Sequence, residues 1–321
     1  MPTTSSSEVQ HARPRKPRLA VAPADAHHLL AVTDLVATLD VPAAFDTGPG
    51  LGGRIRGALG NAMLAAARNG DGASTRREVL FPSLPAYMVL FGEEPIAPDR
   101  AGPADAAPAR PFVLFTEAQG LRLTITLRLF GYARRWVPDL RAALRAALRD
   151  HGVSVQPLAR SWARFPEARV DWADVIVPLA LPDSAALRLV TRTPMRLARD
   201  GHLAVDAAML AGSVFSRAAG ILAWCGCYLD IDPDVLAAEQ RALDLMDNNL
   251  TLASVRRRSR RQDRTLDLDG FAGSVSLHHV GPTLRALLPL IEVIGIGAST
   301  TAGFGRIVFL PEPSLGRHRS P

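Results

Sequence analysis

The period of the apolar positions changes repeatedly along the chain, and each change marks an element. Over residues 27–41, Leu, Val and Thr alternate in part with polar residues, the two-residue period of a strand, and Pro42 ends it. A glycine-rich turn from Gly48 to Gly53 leads into a segment where Ile55, Ala58, Leu59, Ala62, Met63 and Ala66 recur at helical spacing. Residues 69–110 hold Pro82, Pro85, Pro95, Pro98, Pro103 and Pro108, and read as an irregular insertion. Two strand-like runs follow, 111–116 and 121–130, joined by a short turn at Gln119 and Gly120. The next helix has Pro138 in its first turn and is carried by Leu140, Leu144 and Leu148, beside a row of Arg141, Arg145 and Arg149. Gly152 closes it, and alternation up to Pro178 supplies further strand.

The second half repeats the order. Residues 186–197 read as a strand, 207–224 as an apolar-rich helix and 234–245 as an additional helix. Residues 250–262 and 265–278 form an apparent hairpin, 282–293 a helix that Pro289 kinks or shortens, and 304–310 a last strand. Two βαββαβ units in tandem define an α+β chain of two ferredoxin-like (RRM-like) domains with a C-terminal glycine-rich loop. The expected division is an N-terminal domain over 23–180, with the insertion at about 69–110, and a C-terminal domain over 181–312. Residues 1–22 and 313–321 lack periodicity and are expected to be loose tails.

In a βαββαβ unit strands one and two run up and strands three and four run down, so three junctions share one end. In the second half these are the exit of strand one near Arg196, Arg199 and His202, the hairpin tip near Arg260, Arg261 and Arg264, and the glycine loop. In the first half they are the segment from Gly48 to Arg56, the Gln119 turn, and His151 with Gly152.

Composition adds a charge argument. The 321 residues carry a formal net charge of +6, and the basic residues are almost all Arg, whose planar fork pairs with phosphate and stacks on bases. A polyanionic partner fits, but so does a coding sequence that prefers Arg to Lys, so position has to decide. Cys225 and Cys227 are too close for an easy disulfide and too few for structural zinc, which leaves buried thiols. No apolar run reaches the ~20 residues of a membrane span and no signal-type segment opens the chain, so the expected location is the cytoplasm.

Two segments carry candidate chemistry. Gly295, Gly297, Ser299, Thr300, Gly303, Gly305 and Arg306 lie in one loop, where glycines admit positive φ and let backbone N–H groups approach a phosphate. A tight packing turn is the plainer reading of such a loop taken alone. A dinucleotide site fits poorly, because here the order is helix, loop, strand. The second segment is Arg256, Arg257, Arg258, Ser259, Arg260, Arg261 and Gln262. Successive strand side chains alternate faces, so this run places Arg on both sides and projects as a hairpin suited to a phosphate backbone. A solvated edge that blocks aggregation is the alternative.

Taken together, these segments resemble CRISPR-associated endoribonucleases that process repeat transcripts, members of the repeat-associated mysterious protein superfamily. The resemblance rests on Arg258 to Gln262, Gly270-Phe271-Ala272-Gly273 and Gly295 to Arg306 in the second half. It extends to Arg54-Ile55-Arg56-Gly57-Ala58-Leu59-Gly60, Leu129-Phe130-Gly131-Tyr132-Ala133 and Thr193-Pro194-Met195-Arg196-Leu197, spanning roughly residues 27–310. It implies paired ferredoxin-like domains, a glycine loop that contacts RNA, and metal-independent cleavage within the CRISPR repeat, releasing guide RNAs with a 2′,3′-cyclic phosphate.

Arg54, Arg56, Arg256, Arg258, Arg260, Arg261, Gln262 and the loop residues named above are then the expected RNA contacts. Such cleavage needs the ribose 2′-OH held in line with the leaving oxygen, and His suits the acid and base roles. In many members a His lies on or beside the first helix, yet residues 42–68 contain none. His151 and His202 are the candidates, each at the glycine-and-arginine end of its half. Some relatives carry paired cysteines in the insert; this chain has none over 69–95, so no functional zinc and no cofactor are expected. The alternative function is a non-catalytic RNA-binding subunit of a CRISPR effector complex. A more distant one is an unrelated enzyme of phosphate metabolites that uses the loop as an anion cradle.

Overall fold

The computed structural model describes residues 19–68, 86–92, 109–156, 161–175, 181, 184–199, 202–259 and 264–312. Its first sheet is built from β1 (Val32–Asp40), β2 (Phe112–Gln119), β3 (Arg122–Phe130) and β4 (Arg169–Val175), in the order β2-β3-β1-β4 with every neighbour antiparallel. The helices α1 (Leu51–Arg68) and α3 (Val137–Ala146) share a core with it. Of the positions read at helical spacing in α1, Ile55, Ala58, Leu59, Ala62 and Met63 enter the core together with Leu51, whereas Ala66 is half-buried. A short α2 (Ala86–Phe91) lies inside the stretch expected to be irregular and packs Phe91 against Phe112, ring centroids 5.4 Å apart. Arg110 closes this segment by donating to the carbonyls of Val89 and Gly92.

The second sheet has the same order one register further along the chain. β5 (Leu187–Thr191), β6 (Asp244–Met246), β7 (Ser274–His278) and β8 (Ile307–Pro311) lie as β6-β7-β5-β8, again all antiparallel. This order is consistent with two βαββαβ units. Helices α4 (Ala207–Leu222), α5 (Pro233–Ala242) and α6 (Pro282–Ile294) accompany it, with α4 against α6. Asp206 caps α4 by accepting from the amide of Met209 at 2.7 Å. No side chain at the N-cap of α6 does this; instead Glu239 of α5 reaches across and accepts from the amides of Thr283 and Leu284, both at 2.9 Å.

Several elements differ from their sequence reading for identifiable reasons. Residues 23–29 form a 3-10 turn, so the first strand starts at Val32. The strand expected over 186–197 ends at Thr191, where the chain leaves the sheet toward Pro194. Helix 234–245 ends at Ala242, and Asp244–Met246 becomes the edge strand β6. The expected hairpin over 250–278 divides into two short ladders, Thr251–Ala253 with Gly270–Ala272 and Arg256–Ser259 with Arg264–Asp267. Gly273, with φ 131°, then breaks the chain before β7. Pro289 does not shorten α6, which runs on to Ile294. The end of the segment expected to be a loose tail is a strand, Leu19–Val21, paired parallel with Cys227–Leu229.

The two halves share side chains. Val32, Val113, Phe115 and Phe130 of the first sheet belong to the core built around α4 and α6. Arg128 is bidentate to Asp34, both bonds 2.8 Å, and also donates to the carbonyl of Val293 in α6 at 3.2 Å. Trp224 donates its indole N–H to the carbonyl of Ala109 at 2.8 Å. Gly131, with φ 52°, lets the chain pass that indole's backbone, since a Cβ there would lie 2.4 Å from the Trp224 carbonyl oxygen. Ala207–Cys225 is, among the described residues, the one helical stretch long and apolar enough to cross a membrane; in the fold Leu210, Val214, Ala218 and Ile221 are core residues. Cys225 and Cys227 are free thiols, and burial pushes that of Cys225 up to about 11.

Candidate nucleic-acid interface

In the second half two of the three junctions expected to share one end, the exit of strand one and the glycine loop, meet, while the hairpin tip at Arg260 and Arg261 lies outside the described residues. Past the end of β5, Met195 exchanges both backbone bonds with Phe271, each at 2.8 Å, and Arg196 accepts from the amide of Ala298 at 2.9 Å. The exit of strand one, the long β6–β7 connection and the glycine loop are therefore stitched into one surface. In the first half the corresponding junctions also meet, through the amide of Asp46 donating to Val155 and through Arg54. His278, paired with Asp244 at the opposite end of the sheet, lies away from both.

The glycine loop is first of all a packing device. Gly295, Gly297, Gly303 and Gly305 have φ of 72°, 75°, 92° and 72°. A Cβ on Gly297 would lie 2.4 Å from the Arg196 carbonyl oxygen, and one on Gly305 would lie 1.9 Å from that of Ile296. Most of the loop's amides are used internally. Gly295 bonds Ile291, Ile296 bonds Gly305, Gly297 bonds the Ser213 hydroxyl, Gly305 bonds Pro194, and Arg306 bonds the Thr193 hydroxyl.

Gly295, Thr300, Gly303 and Gly305 are buried and shape the loop from inside. Gly297 and Ser299 keep open surface. The amides of Ser299, Thr300 and Thr301 have no backbone acceptor among the described residues, and Ser299 holds an αL conformation with φ 62°.

Arg196 sits beside that turn. Its Nε donates to the Asp269 carbonyl at 2.9 Å and its Nη1 to the Ser299 hydroxyl at 3.2 Å. Both partners are neutral, and no carboxylate among the described residues pairs with this guanidinium. A cation held by neutral acceptors next to amides without a backbone partner is an arrangement that can receive an anion. The sequence reading placed Arg196 at this junction but not among the contacts; the signal available was its place two residues after Pro194, in the segment shared with the resembled family.

The first-half arginines are used differently. Arg54, its side chain only 5% exposed, donates to the carbonyl of Ser154 at 2.6 Å and to that of Asp46, pairs with the Asp46 carboxylate at 3.4 Å, and lies over Phe45. Burial lowers its pKa, and Asp46 opposes that shift. Arg54 is thus a brace between α1 and the neighbouring loops. Arg56 lies half-buried with its guanidinium 5.5 Å from the Phe91 ring centroid. Arg306 stacks over Phe115 at 5.3 Å and pairs with Glu117 at 3.3 Å, tying the loop to β2.

What α1 does bring to the site is its N-terminus. A Cβ on Gly52 would lie 2.5 Å from the Ala302 carbonyl oxygen, so the first turn of α1 rests directly on the glycine loop. His151, exposed, ends the wide turn Ala147–His151 that packs on α1. His202 pairs its backbone with Arg199 in a two-residue ladder; its side chain lies outside the described residues. Arg256 is exposed and lies 3.6 Å from Asp267. The side chain of Arg258, and Arg260, Arg261 and Gln262 altogether, lie outside the described residues. Among the described residues no group of three or more His, Cys, Asp or Glu side chains is placed to hold a metal ion.

A concavity of about 310 Å³ opens between the first sheet and α6 and is lined by Asp34, Thr126, Arg128, Glu292 and Arg306, among others. Its charges are largely spent on one another. Glu292 accepts from the amide of Phe309 at 2.5 Å, and burial raises its carboxyl pKa.

A mixed α+β chain with two sheets of one strand order, and an arginine-and-glycine junction before its last strand, is the class that the sequence resemblance describes. The family match is narrower and bears that resemblance out: residues 189–307, from β5 to the start of β8, match the family described as CRISPR-associated endoribonuclease Cas6. Solved structures similar to this chain include a Cas6 product complex, at 18% identity over 87% of this chain and 99% of that one, TM-score 0.49. They also include Thermus thermophilus Cas6, at 18% identity over 88% and 99%, TM-score 0.48. A third, a Cas6-related protein from Pyrococcus furiosus, has 8% identity over 88% and 99%, TM-score 0.43. No curated protein matches the chain.

Proposed function

We propose that this chain is a metal-independent endoribonuclease, built on two ferredoxin-like halves, that binds CRISPR repeat RNA in the cytoplasm and cuts the precursor into guide RNAs. The observation that carries the reading is the unneutralised Arg196 beside the Ser299 and Thr301 amides, inside the segment that matches the family. In this reading those donors receive a backbone phosphate at the cleaved bond. They stabilise the charge that builds on it as the ribose 2′-OH attacks and the 5′ oxygen leaves. The products are a 2′,3′-cyclic phosphate and a 5′-OH. His151 and His202 are the proposed acid and base, and the Arg256–Gln262 hairpin is the proposed clamp on the rest of the repeat.

The absence of His from α1, together with the burial of Arg54, favours one second reading, a non-catalytic RNA-binding subunit of an effector complex. Incubating the protein in excess with its cognate repeat in EDTA separates the two. Cleavage at one position with cyclic-phosphate ends is the expected result. Tight, salt-sensitive binding with the RNA left intact selects the subunit reading, and absence of binding overturns both.

A further inference from the structure

α4 carries a charge that its pattern does not call for. Leu210, Val214 and Ile221 form its buried stripe at helical spacing, and Arg217 lies on that stripe, only 8% exposed. Its guanidinium has no carboxylate among the described residues. Both Nε and Nη2 donate to a single acceptor, the carbonyl of Ile294, at 3.2 and 3.0 Å. Burial pulls its pKa down to about 10, so it is still a cation at neutral pH.

An isolated buried cation is costly, and what offsets it here is the negative end of a helix. Ile294 is the last residue of α6, and its carbonyl is one of the four that a helix leaves without an internal partner. A neutral donor could satisfy that carbonyl. A charged, two-pronged one also fixes its direction. The next residue is Gly295, with φ 72°, where the chain turns into the glycine loop.

One helical turn earlier on the same face of α4, the Ser213 hydroxyl accepts from the amide of Gly297 at 3.1 Å. Two side chains of one rigid helix therefore hold the chain immediately before and after the Gly295 bend. From Gly297 the chain passes directly to Ala298, which pairs with Arg196, and to Ser299, which accepts from its guanidinium.

We infer that Ser213 and Arg217 are positioning residues: they set the register of the Ala298–Thr301 turn against Arg196 and so determine whether the phosphate-binding donors converge. The inference rests on the proposed RNA function and acts wholly through Ile294 and Gly297. Neither side chain touches RNA.

The milder variant is Ser213→Ala, with Ser213→Thr as the rescue; Arg217→Met removes the charged clamp and Arg217→Lys keeps a cation on one prong. Three quantities are read on the full chain: melting temperature, amide hydrogen exchange over 298–301, and affinity for repeat RNA as a function of salt. Ser213→Ala should melt near the unaltered protein and exchange faster over 298–301. It should bind RNA roughly fivefold to tenfold more weakly, with a shallower salt slope, as expected for a displaced phosphate contact. Ser213→Thr should restore all three. Arg217→Lys should fall between the unaltered protein and Arg217→Met.

Faster exchange in Ser213→Ala with unchanged affinity and slope would overturn the inference, because the turn would then be loosened without consequence. So would a folding defect in Arg217→Met while Ser213→Ala behaves as the unaltered protein, which would make Arg217 a core residue only. If the unaltered protein binds no RNA, the functional reading fails instead, and the exchange rates alone then decide whether α4 holds the turn.

Discussion

The two halves use one strand order for opposite ends. In the first, β2 and β3 are joined by a two-residue turn and the two arginines turned inward are spent on the fold: Arg54 braces two loops and Arg128 is clasped by Asp34. In the second, the corresponding strands are separated by the excursion 247–273, and Arg196 at the sheet's end keeps its charge unneutralised. The first half behaves as a platform whose cations stabilise it, and the second as the half with charge to offer. Arg54 and Arg196 are the same residue type, distinguished by burial and by the carboxylate that faces one of them and not the other.

That contrast predicts separable failures. The largest is thermodynamic: Arg54→Ala leaves Asp46 and the Ser154 carbonyl without their partner and should cost on the order of 3 kcal/mol, visible as a lower urea midpoint. Arg196→Ala should hardly move that midpoint, yet should weaken repeat binding by about tenfold or more. Equal stability losses in both would erase the distinction.

Gly303→Val comes next. Its φ of 92° and the Gly52 Cα only 3.2 Å from the added Cβ force the loop away from α1, so RNA processing should be lost with a stability loss of about 1–3 kcal/mol. Gly57→Ala is the control: nothing lies within 4 Å of its Cβ, and it should leave processing intact while stabilising α1 by roughly 0.5–1 kcal/mol. Replacing Arg260 and Arg261 together by Ala should have a smaller effect, a flatter salt dependence of RNA binding with cleavage chemistry retained. An unchanged slope would take the hairpin out of the interface.

The smallest effect is a pH dependence. Burial raises the Glu292 carboxyl pKa in the folded state, so folding favours its protonated form. Its contribution is complete below the ordinary carboxylate range and is lost as pH rises through that range to the raised folded value. Melting temperature followed upward from about pH 4 should therefore decline slightly more in the parent than in Glu292→Gln, whose amide oxygen can still accept from Phe309.

Much of this architecture is legible in the periodicity, because long stripes such as that of α1 and the alternation in β3 leave one answer. β6 escaped because Asp244, Leu245 and Met246 directly follow a helix, and three residues are too few to show a change of period. The alternation over 250–278 suggests one long hairpin, whereas the two short ladders are set by the bend at Gly273 and by pairing with Met195, which no local pattern records. The site was legible as a location more than as a set of contacts. Composition marks Arg54 and Arg196 alike, and only tertiary packing reveals that one faces Asp46 and the other Ser299. Arg217 did leave a mark, a charge on the apolar stripe of α4 between Val214 and Ile221, and such an interruption points to an inward partner.

The parallel pairing of Leu19–Val21 with Cys227–Leu229 bears on how the protein is made. On the ribosome the earlier strand emerges first and waits, its edge open, through synthesis of the whole platform half before its partner exists. The pairing joins strands more than two hundred residues apart, so it cannot form until the second half has been made. Splitting the chain between the halves would strand one sealing strip on each fragment, and neither fragment is a natural unit for expression on its own.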